Sequence, residues 1–267
     1  MGKEIEFESC DPIVIVTGAS AGLGAAFVRL LDETLPDEVT LWLIARREER
    51  LWQFADGLAH STRCFALDLT EKESFSIVEG ALRASGSTVQ LLINNAGAGM
   101  PGHFAHQHLA RHQSLCDLNV RAQVGLTSVA LPYMAEGSAI VFTASVAAFL
   151  PQPGFATYAA SKAFILSFGR ALAAELTSRR IGVTVTCPNP MLTDFFTPDE
   201  KEQLLSSYKR FSIEDPNTVA HKTIAAVRKR KVVVVTSGLG KLVRLLAKVV
   251  PHRWIVRFIA GTTKEKP

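Results

Sequence analysis

Tyr158 and Lys162 are the residues whose types and spacing offer the most chemistry. They stand four apart in Tyr158-Ala159-Ala160-Ser161-Lys162, and Ser145 lies thirteen positions upstream of the tyrosine. The surrounding stretch, Ala156 to Ala174, is rich in alanine and free of proline, so it is expected to be helical. Positions i and i+4 share a helix face, which brings phenol and ammonium into one space. A free tyrosine, with a pKa of about 10, exchanges protons poorly at neutral pH. A cation fixed beside it favours the phenolate and lowers that pKa. A phenol tuned in this way can give a proton to an oxygen or take one, the step shared by carbonyl reduction and alcohol oxidation. Alone, a tyrosine and a lysine at this spacing are equally a plain helix face.

Elements that would position such a pair are legible upstream. Ile13-Val14-Ile15-Val16 is a short β-branched run of the kind buried in parallel sheets. It leads into Thr17-Gly18-Ala19-Ser20-Ala21-Gly22-Leu23-Gly24 and then a helical pattern from Ala25. Strand, glycine-rich turn and helix form the context in which a backbone can cradle a dinucleotide pyrophosphate. The other reading is an ordinary glycine-rich βα turn. Further strands are expected at 39–45, 62–66, 89–94, 139–144, 182–187 and 232–236, after the first at 13–17. Helices are expected near 22–34, 47–59, 71–85, 106–134 and 153–177, and in pieces over 197–230. Strict alternation predicts one α/β domain, a parallel sheet with helices on both faces.

The glycine spacing is G-x-x-x-G-x-G. Asn94-Asn95-Ala96-Gly97, Asn119, Ser145 and Tyr158-x-x-x-Lys162 follow it in order. In these motifs residues 12 to 195 resemble the short-chain dehydrogenase/reductase family. The resemblance implies a Rossmann-type doubly wound, seven-stranded parallel sheet and an oxidoreductase using a nicotinamide cofactor. By the same resemblance Tyr158 is the general acid in reduction and the base in oxidation. Lys162 binds the nicotinamide ribose and lowers the tyrosine pKa, Ser145 holds the substrate oxygen, and Asn119 holds a water leading from Lys162 to solvent. Gly18, Ser20, Gly22, Leu23 and Gly24 would line the pyrophosphate. Asp68 and Leu69 would meet the adenine. Asn95, Ala96 and Gly97 would lie along the ribose, and Pro188 and Thr193 would hold the nicotinamide amide. Each has a structural alternative. Ser145 can cap a strand end, Asn119 can bond a helix kink, and Ser161 reads as a small packing residue. Asp68 can cap the helix near Glu71, although Thr70 is the better cap and would leave Asp68 free. The family also implies a homodimer or homotetramer.

Cofactor choice is read at the second strand. An acidic residue at its end would bind the 2′-hydroxyl of NAD. Ala45 stands there instead, and Arg46 follows. A guanidinium matches a phosphate in charge and shape. NADP(H) is therefore expected, with Arg46 on the 2′-phosphate and Ser20 beside it. Arg46 and Arg47 can otherwise be a solvated helix start.

The 267 residues carry a net charge of +4, and nearly half are apolar, which suits one sizeable core and excludes disorder. Cys10, Cys64, Cys116 and Cys187 lack metal-ligand spacing, so no metal is expected. Cys64 and Cys187 read as buried reduced thiols. The amino terminus shows no secretory pattern, no apolar run is long enough to span a membrane, and a cytoplasmic location is expected.

After the sixth strand the family pattern P-G-x-x-x-T becomes Pro188-Asn189-Pro190-Met191-Leu192-Thr193. Asn189 is expected to tolerate the left-handed backbone that glycine would supply. The segment from about 190 to 230 reads as a substrate lid. From residue 221 onward there are twelve Lys/Arg and one acidic residue, Glu265. Residues 238–267 form a basic amphipathic extension. It can lie on an anionic membrane, or its apolar side can cover the substrate pocket or a subunit interface. Nothing suggests nucleic-acid recognition. Ala144, Val146, Ala147, Phe149, Leu150, Phe155, Phe195 and Phe196 are the expected pocket wall, and their apolar character points to a steroid-like, lipid or aromatic ketone. A pterin-type carbonyl reductase is the second candidate. A cofactor-binding regulator without turnover is the rival from another class.

Overall fold

The computed structural model describes residues 12–206 and 208–262. Cys10, the acidic amino-terminal run and the last five residues of the basic tail lie outside them. The strands are β1 (Pro12–Thr17), β2 (Thr40–Ala45), β3 (Thr62–Ala66), β4 (Thr88–Asn94), β5 (Ala139–Thr143), β6 (Gly182–Cys187) and β7 (Val233–Val235). They form one parallel sheet in the order β3-β2-β1-β4-β5-β6-β7. Each lies within a residue or two of its expected position.

The apolar runs are continuous because both faces of the sheet are covered. Ile13, Ile15, Trp42, Ile44, Ile140 and Phe142 point into one layer. Their neighbours Val14, Val16, Leu41, Leu43 and Val141 point into the other. The second layer is completed by α1 (Gly22–Asp32), α2 (Glu48–Ala55) and α8 (Pro216–Arg228). The first is completed by α3 (Glu73–Ser85), α5 (Ala122–Ala130) and α6 (Ala156–Glu175). Each wholly buried Leu, Ile or Phe contributes about 1.5–3 kcal/mol, so the two layers supply most of the driving force.

Two expected elements are redrawn. The helix expected over 106–134 is α4 (Leu109–Cys116), a π-helical turn (Asp117–Arg121) and α5. The other is the segment read as a lid over about 190 to 230. It contains α7 (Pro198–Ser206) and a 3₁₀ turn (Tyr208–Ser212), whereas α8 buries Val219, Ala220 and Ile224 in the core beside α1. Beyond β7 the chain continues as α9 (Gly238–Val249) and α10 (His252–Thr262).

Candidate active site

The strand order reverses between β1 and β4, and open sheets bind ligands at the carboxyl side of such a point. Thr17 holds the two strand ends together. Its Oγ1 donates to the Ile93 carbonyl at 3.3 Å and accepts from the Asn95 and Ala96 amides, each at 2.9 Å. Asn95 Nδ2 donates to the Thr17 carbonyl at 3.0 Å, so this side chain is a strut between strands. Above the junction Gly18 and Gly22 adopt left-handed backbone, φ 65° and 52°. A Cβ on Gly24 would stand 2.0 Å from the Gly18 carbonyl oxygen. At these glycines the turn presents backbone only, and α1 begins beyond it with no side chain capping its first N–H groups. Uncapped N–H groups and a positive dipole end beside glycines suit a diphosphate. Leu23 and Leu69 are buried in the core, so only their backbones can face this cradle.

The chemistry-bearing residues converge beside it. Tyr158 and Lys162, on α6, are 7 % and 3 % exposed. The Lys162 Nζ donates to the Thr143 carbonyl at 2.8 Å and lies 5.8 Å from the centre of the Tyr158 ring. Gly97 passes close by, since a Cβ there would stand 3.2 Å from that Nζ and 3.1 Å from Asn119 Oδ1. Ser145 acts on Tyr158 to favour its phenolate, and its Oγ accepts from the Ala147 amide at 3.1 Å. The wide turn at 117–121 points Asn119 inward. Its Nδ2 donates to the Ala98 carbonyl at 3.0 Å and to Ser161 Oγ at 3.1 Å, while its Oδ1 accepts from the Ala98 amide at 2.8 Å. Ser161 in turn donates to the Tyr158 carbonyl at 2.7 Å. Ser161 is therefore a link between Asn119 and the tyrosine's own turn. Its polar neighbours, unlike its small size, had no mark in the sequence.

Electrostatics correct one expectation. Burial pushes the Tyr158 phenol up to about 12, against the opposing hydrogen bond from Ser145. Burial also brings Lys162 down to about 8. Desolvation of both groups outweighs any lowering of the tyrosine by the lysine in the protein by itself. The sign of the consequence for stability is fixed. Between about pH 8 and pH 10 an unfolded chain protonates this lysine and the folded one does not, so stability rises with pH. From about pH 7 to pH 9 wild type should gain about 1 kcal/mol relative to Lys162→Met, as read from urea unfolding at the two pH values. Parallel curves for the two proteins would show that the buried ammonium is not destabilised.

The rim is basic. Arg46 Nη1 lies 3.8 Å from Asp68 Oδ2 across the ends of β2 and β3. Asp68 is not free, because its Oδ1 accepts from the Thr70 amide at 2.9 Å and hydroxyl at 2.7 Å. Partial burial works to raise its carboxyl, but those bonds and the Arg46 charge outweigh it and the net shift is downward. Thr70 caps nothing, since α3 starts later, at Glu73. Arg50 Nε donates to the Ser20 carbonyl at 3.0 Å, and Asp194 pairs with both Arg50 and Arg47. This latch from the loop after β6 to α2 joins residues 144 apart and could not be read from local pattern.

Phe155 stacks on Tyr158 with ring centres 4.3 Å apart, and Phe195 meets it edge-on at 5.8 Å. Met100, Leu115, Ala147 and Ala159 complete this small cluster. Of the residues expected in the wall, Ala144 belongs to the main core, and the half-buried Val146 and Phe149 pack against that core. Thr193 rests on Gly22, where an added Cβ would lie 3.1 Å from its own Cβ. The Pro188 carbonyl accepts from the Val146 amide at 3.0 Å. Asn189 is not left-handed, as Arg180 and Arg230 alone among the described non-glycine residues have positive φ. Its Nδ2 donates to Ser237 Oγ at 2.6 Å and its amide to Glu214 at 2.8 Å, so the asparagine serves as a tie. No cluster of three or more metal-ligating side chains occurs among the described residues.

A doubly wound sheet with a glycine-rich turn, a buried Tyr158-Lys162 pair and Ser145 beside them defines a dinucleotide-dependent oxidoreductase class. The model of the short chain dehydrogenase family matches residues 12–204, and the chain belongs to that family. It is 33 % identical over 189 residues to sulfoacetaldehyde reductase 2 of Chromohalobacter salexigens, covering 68 % of this chain and 74 % of that one. It is 29 % identical over 258 residues to the ketoacyl reductase HetN of Nostoc, covering 90 % and 88 %. A short-chain dehydrogenase from Sphingobium yanoikuyae, solved in complex with NADPH, superposes with a TM-score of 0.72 at 24 % identity, over 96 % of this chain and 97 % of that one.

Proposed function

We propose that this oxidoreductase uses NADP(H) to interconvert a hydrophobic ketone and its secondary alcohol. The observation that carries the reading is the buried Tyr158, with Ser145 lowering its pKa and Lys162 one helical turn away, beside a glycine turn that ends in an uncapped helix. When bound, the cofactor supplies or accepts the hydride, a chemistry no side chain here can provide. Tyr158 gives its phenolic proton to the carbonyl oxygen, and Ser145 holds that oxygen as charge develops. Lys162, Ala96 and Gly97 would hold the nicotinamide ribose, Asn119 would hold a water leading from Lys162 to solvent, and Pro188 and Thr193 would hold the amide. The aromatic wall of Phe155 and Phe195 suits an apolar or aromatic ketone better than a small polar sugar. The three cysteines among the described residues are free thiols, one exposed at Cys116, which suits a reducing compartment such as the cytoplasm.

Loss of NADPH absorbance over a panel running from small polar to bulky aromatic ketones tests the activity. No turnover with any of them, despite bound NADPH, would leave a binding protein. Arg46 tests the cofactor. It is the exposed cation at the end of β2, and a charge-assisted bond to phosphate is worth about 1.5–3 kcal/mol. Arg46→Asp should cut catalytic efficiency with NADPH by about 10- to 100-fold and leave that with NADH level or higher. An unchanged ratio of the two would remove Arg46 from the 2′-phosphate.

A further inference from the structure

Helix α9 divides its surface three ways. Gly240, Val243 and Ala247 face the body of the protein. A Cβ on Gly240 would meet Val146 and Val235 at 2.8 Å, and Arg244 lies over the Phe149 ring at 5.7 Å. Lys241 and Lys248 flank this side. At 3.6 residues per turn Leu239, Leu242, Leu245, Leu246 and Val249 fall together on about one third of the circumference, away from the packed side. These five are 42–68 % exposed. The apolar side of the extension therefore does not cover the substrate pocket. Small residues pack α9 in place, and its large ones face outward. Trp254 on α10, 56 % exposed, lies between Arg253 and Arg257.

We propose that the exposed apolar stripe of α9, with Trp254 of α10, docks on an anionic lipid bilayer. Charge selects this occupant. Residues 232–262 carry Lys241, Arg244, Lys248, Arg253 and Arg257 and no acidic residue. A second copy of the same face would bring five cations against five, which opposes pairing. An anionic surface attracts them, while leucines enter the headgroup boundary and a tryptophan sits at its level. The helices would lie on the bilayer, since no helix among the described residues is long and apolar enough to cross one. The helix is fixed for this task. Ser237 Oγ caps α9 through the Gly240 amide at 2.8 Å and accepts from Asn189 on the loop after β6. Docking would set the 146–149 turn, which follows Ser145, close to the lipid. On the proposed function, a hydrophobic ketone would then arrive from the bilayer.

Flotation of the full chain with phosphatidylcholine vesicles, with and without phosphatidylglycerol, tests the surface without using turnover. Wild type should float with the anionic vesicles only, and high salt should release it. Leu242→Glu with Leu246→Glu, and separately Lys241→Glu with Lys248→Glu, should each lower the bound fraction about tenfold or more. NADPH binding and the sedimentation coefficient should stay as in wild type. Wild type that stays unbound, equal binding to neutral vesicles, or undiminished binding of both variants would overturn the proposal. A smaller particle in the leucine variant would assign the stripe to a second copy instead.

Discussion

Tyr158→Phe should lower the turnover number for ketone reduction by about 10³-fold or more while NADPH binds within about twofold of wild type. The substitution removes one oxygen and little else. The ring keeps its stacking on Phe155 and its edge contact with Phe195, and Ser145 keeps the Ala147 amide. Stability should move by no more than about 1 kcal/mol, because a single net hydrogen bond is lost. Burial makes the phenol a reluctant acid, pushed up to about 12, yet this keeps it protonated at neutral pH. Protonated is the form a reduction needs. Oxidation needs the phenolate, so the alcohol direction should gain with rising pH while the ketone direction does not. The loss in Tyr158→Phe should appear in kcat and not in KM, since the proton moves in the transition state alone. A variant that keeps a tenth of the wild-type rate would show that the proton comes from elsewhere.

The division between what the residues reveal and what they conceal follows from range. β1 and β2 are legible because both faces are buried, so every position from Ile13 to Val16 and from Leu41 to Ile44 must be apolar. The glycine turn is legible because Gly18 needs positive φ and Gly24 needs to be without a side chain, and glycine satisfies both. The π turn at 117–121 shows in the sequence only as a polar Asn119 able to bond a helix kink, among other roles. Its reason is the pairing of Asn119 with the Ala98 backbone, which exists after β4 and α4 are brought together. Asn189 misleads for a related cause. Its backbone tolerance suggests a glycine substitute, while its partner Ser237 lies 48 residues on. The faces of α9 are similar, because periodicity shows an amphipathic helix but not which side the body of the protein takes. Gly240 supplies that answer, and only through its contacts. The shifts at Tyr158 and Lys162 also depend on depth in the fold, which spacing along one helix does not encode.

Gly24→Ala should weaken NADPH binding by about 100-fold or more and lower stability by about 2–4 kcal/mol, a fall in Tm of about 5–10 °C. The added methyl would stand 2.0 Å from the Gly18 carbonyl oxygen, 2.7 Å from its carbon and 2.8 Å from Asn95 Nδ2. Two of these atoms are backbone and cannot rotate away. Gly18 is itself confined, since a Cβ there would be 3.2 Å from Ala96 Cα. The strain must instead open the turn or lift α1, and α1 is held by Leu23, Phe27 and Leu31 in the core. Either movement displaces the uncapped N–H groups from the positions that suit a diphosphate. Gly80→Ala is the matched control. It lies inside α3 with nothing within 4 Å of its added Cβ, so alanine should stabilise by about 0.5–1 kcal/mol through helix propensity. Thermal melts with and without NADPH read both variants. If Gly24→Ala melts with wild type and keeps its NADPH-induced shift, the close approach of α1 to Gly18 does not shape the cradle. Loss of the shift with an unchanged melt would instead confine the strain to the turn and leave the packing of α1 intact.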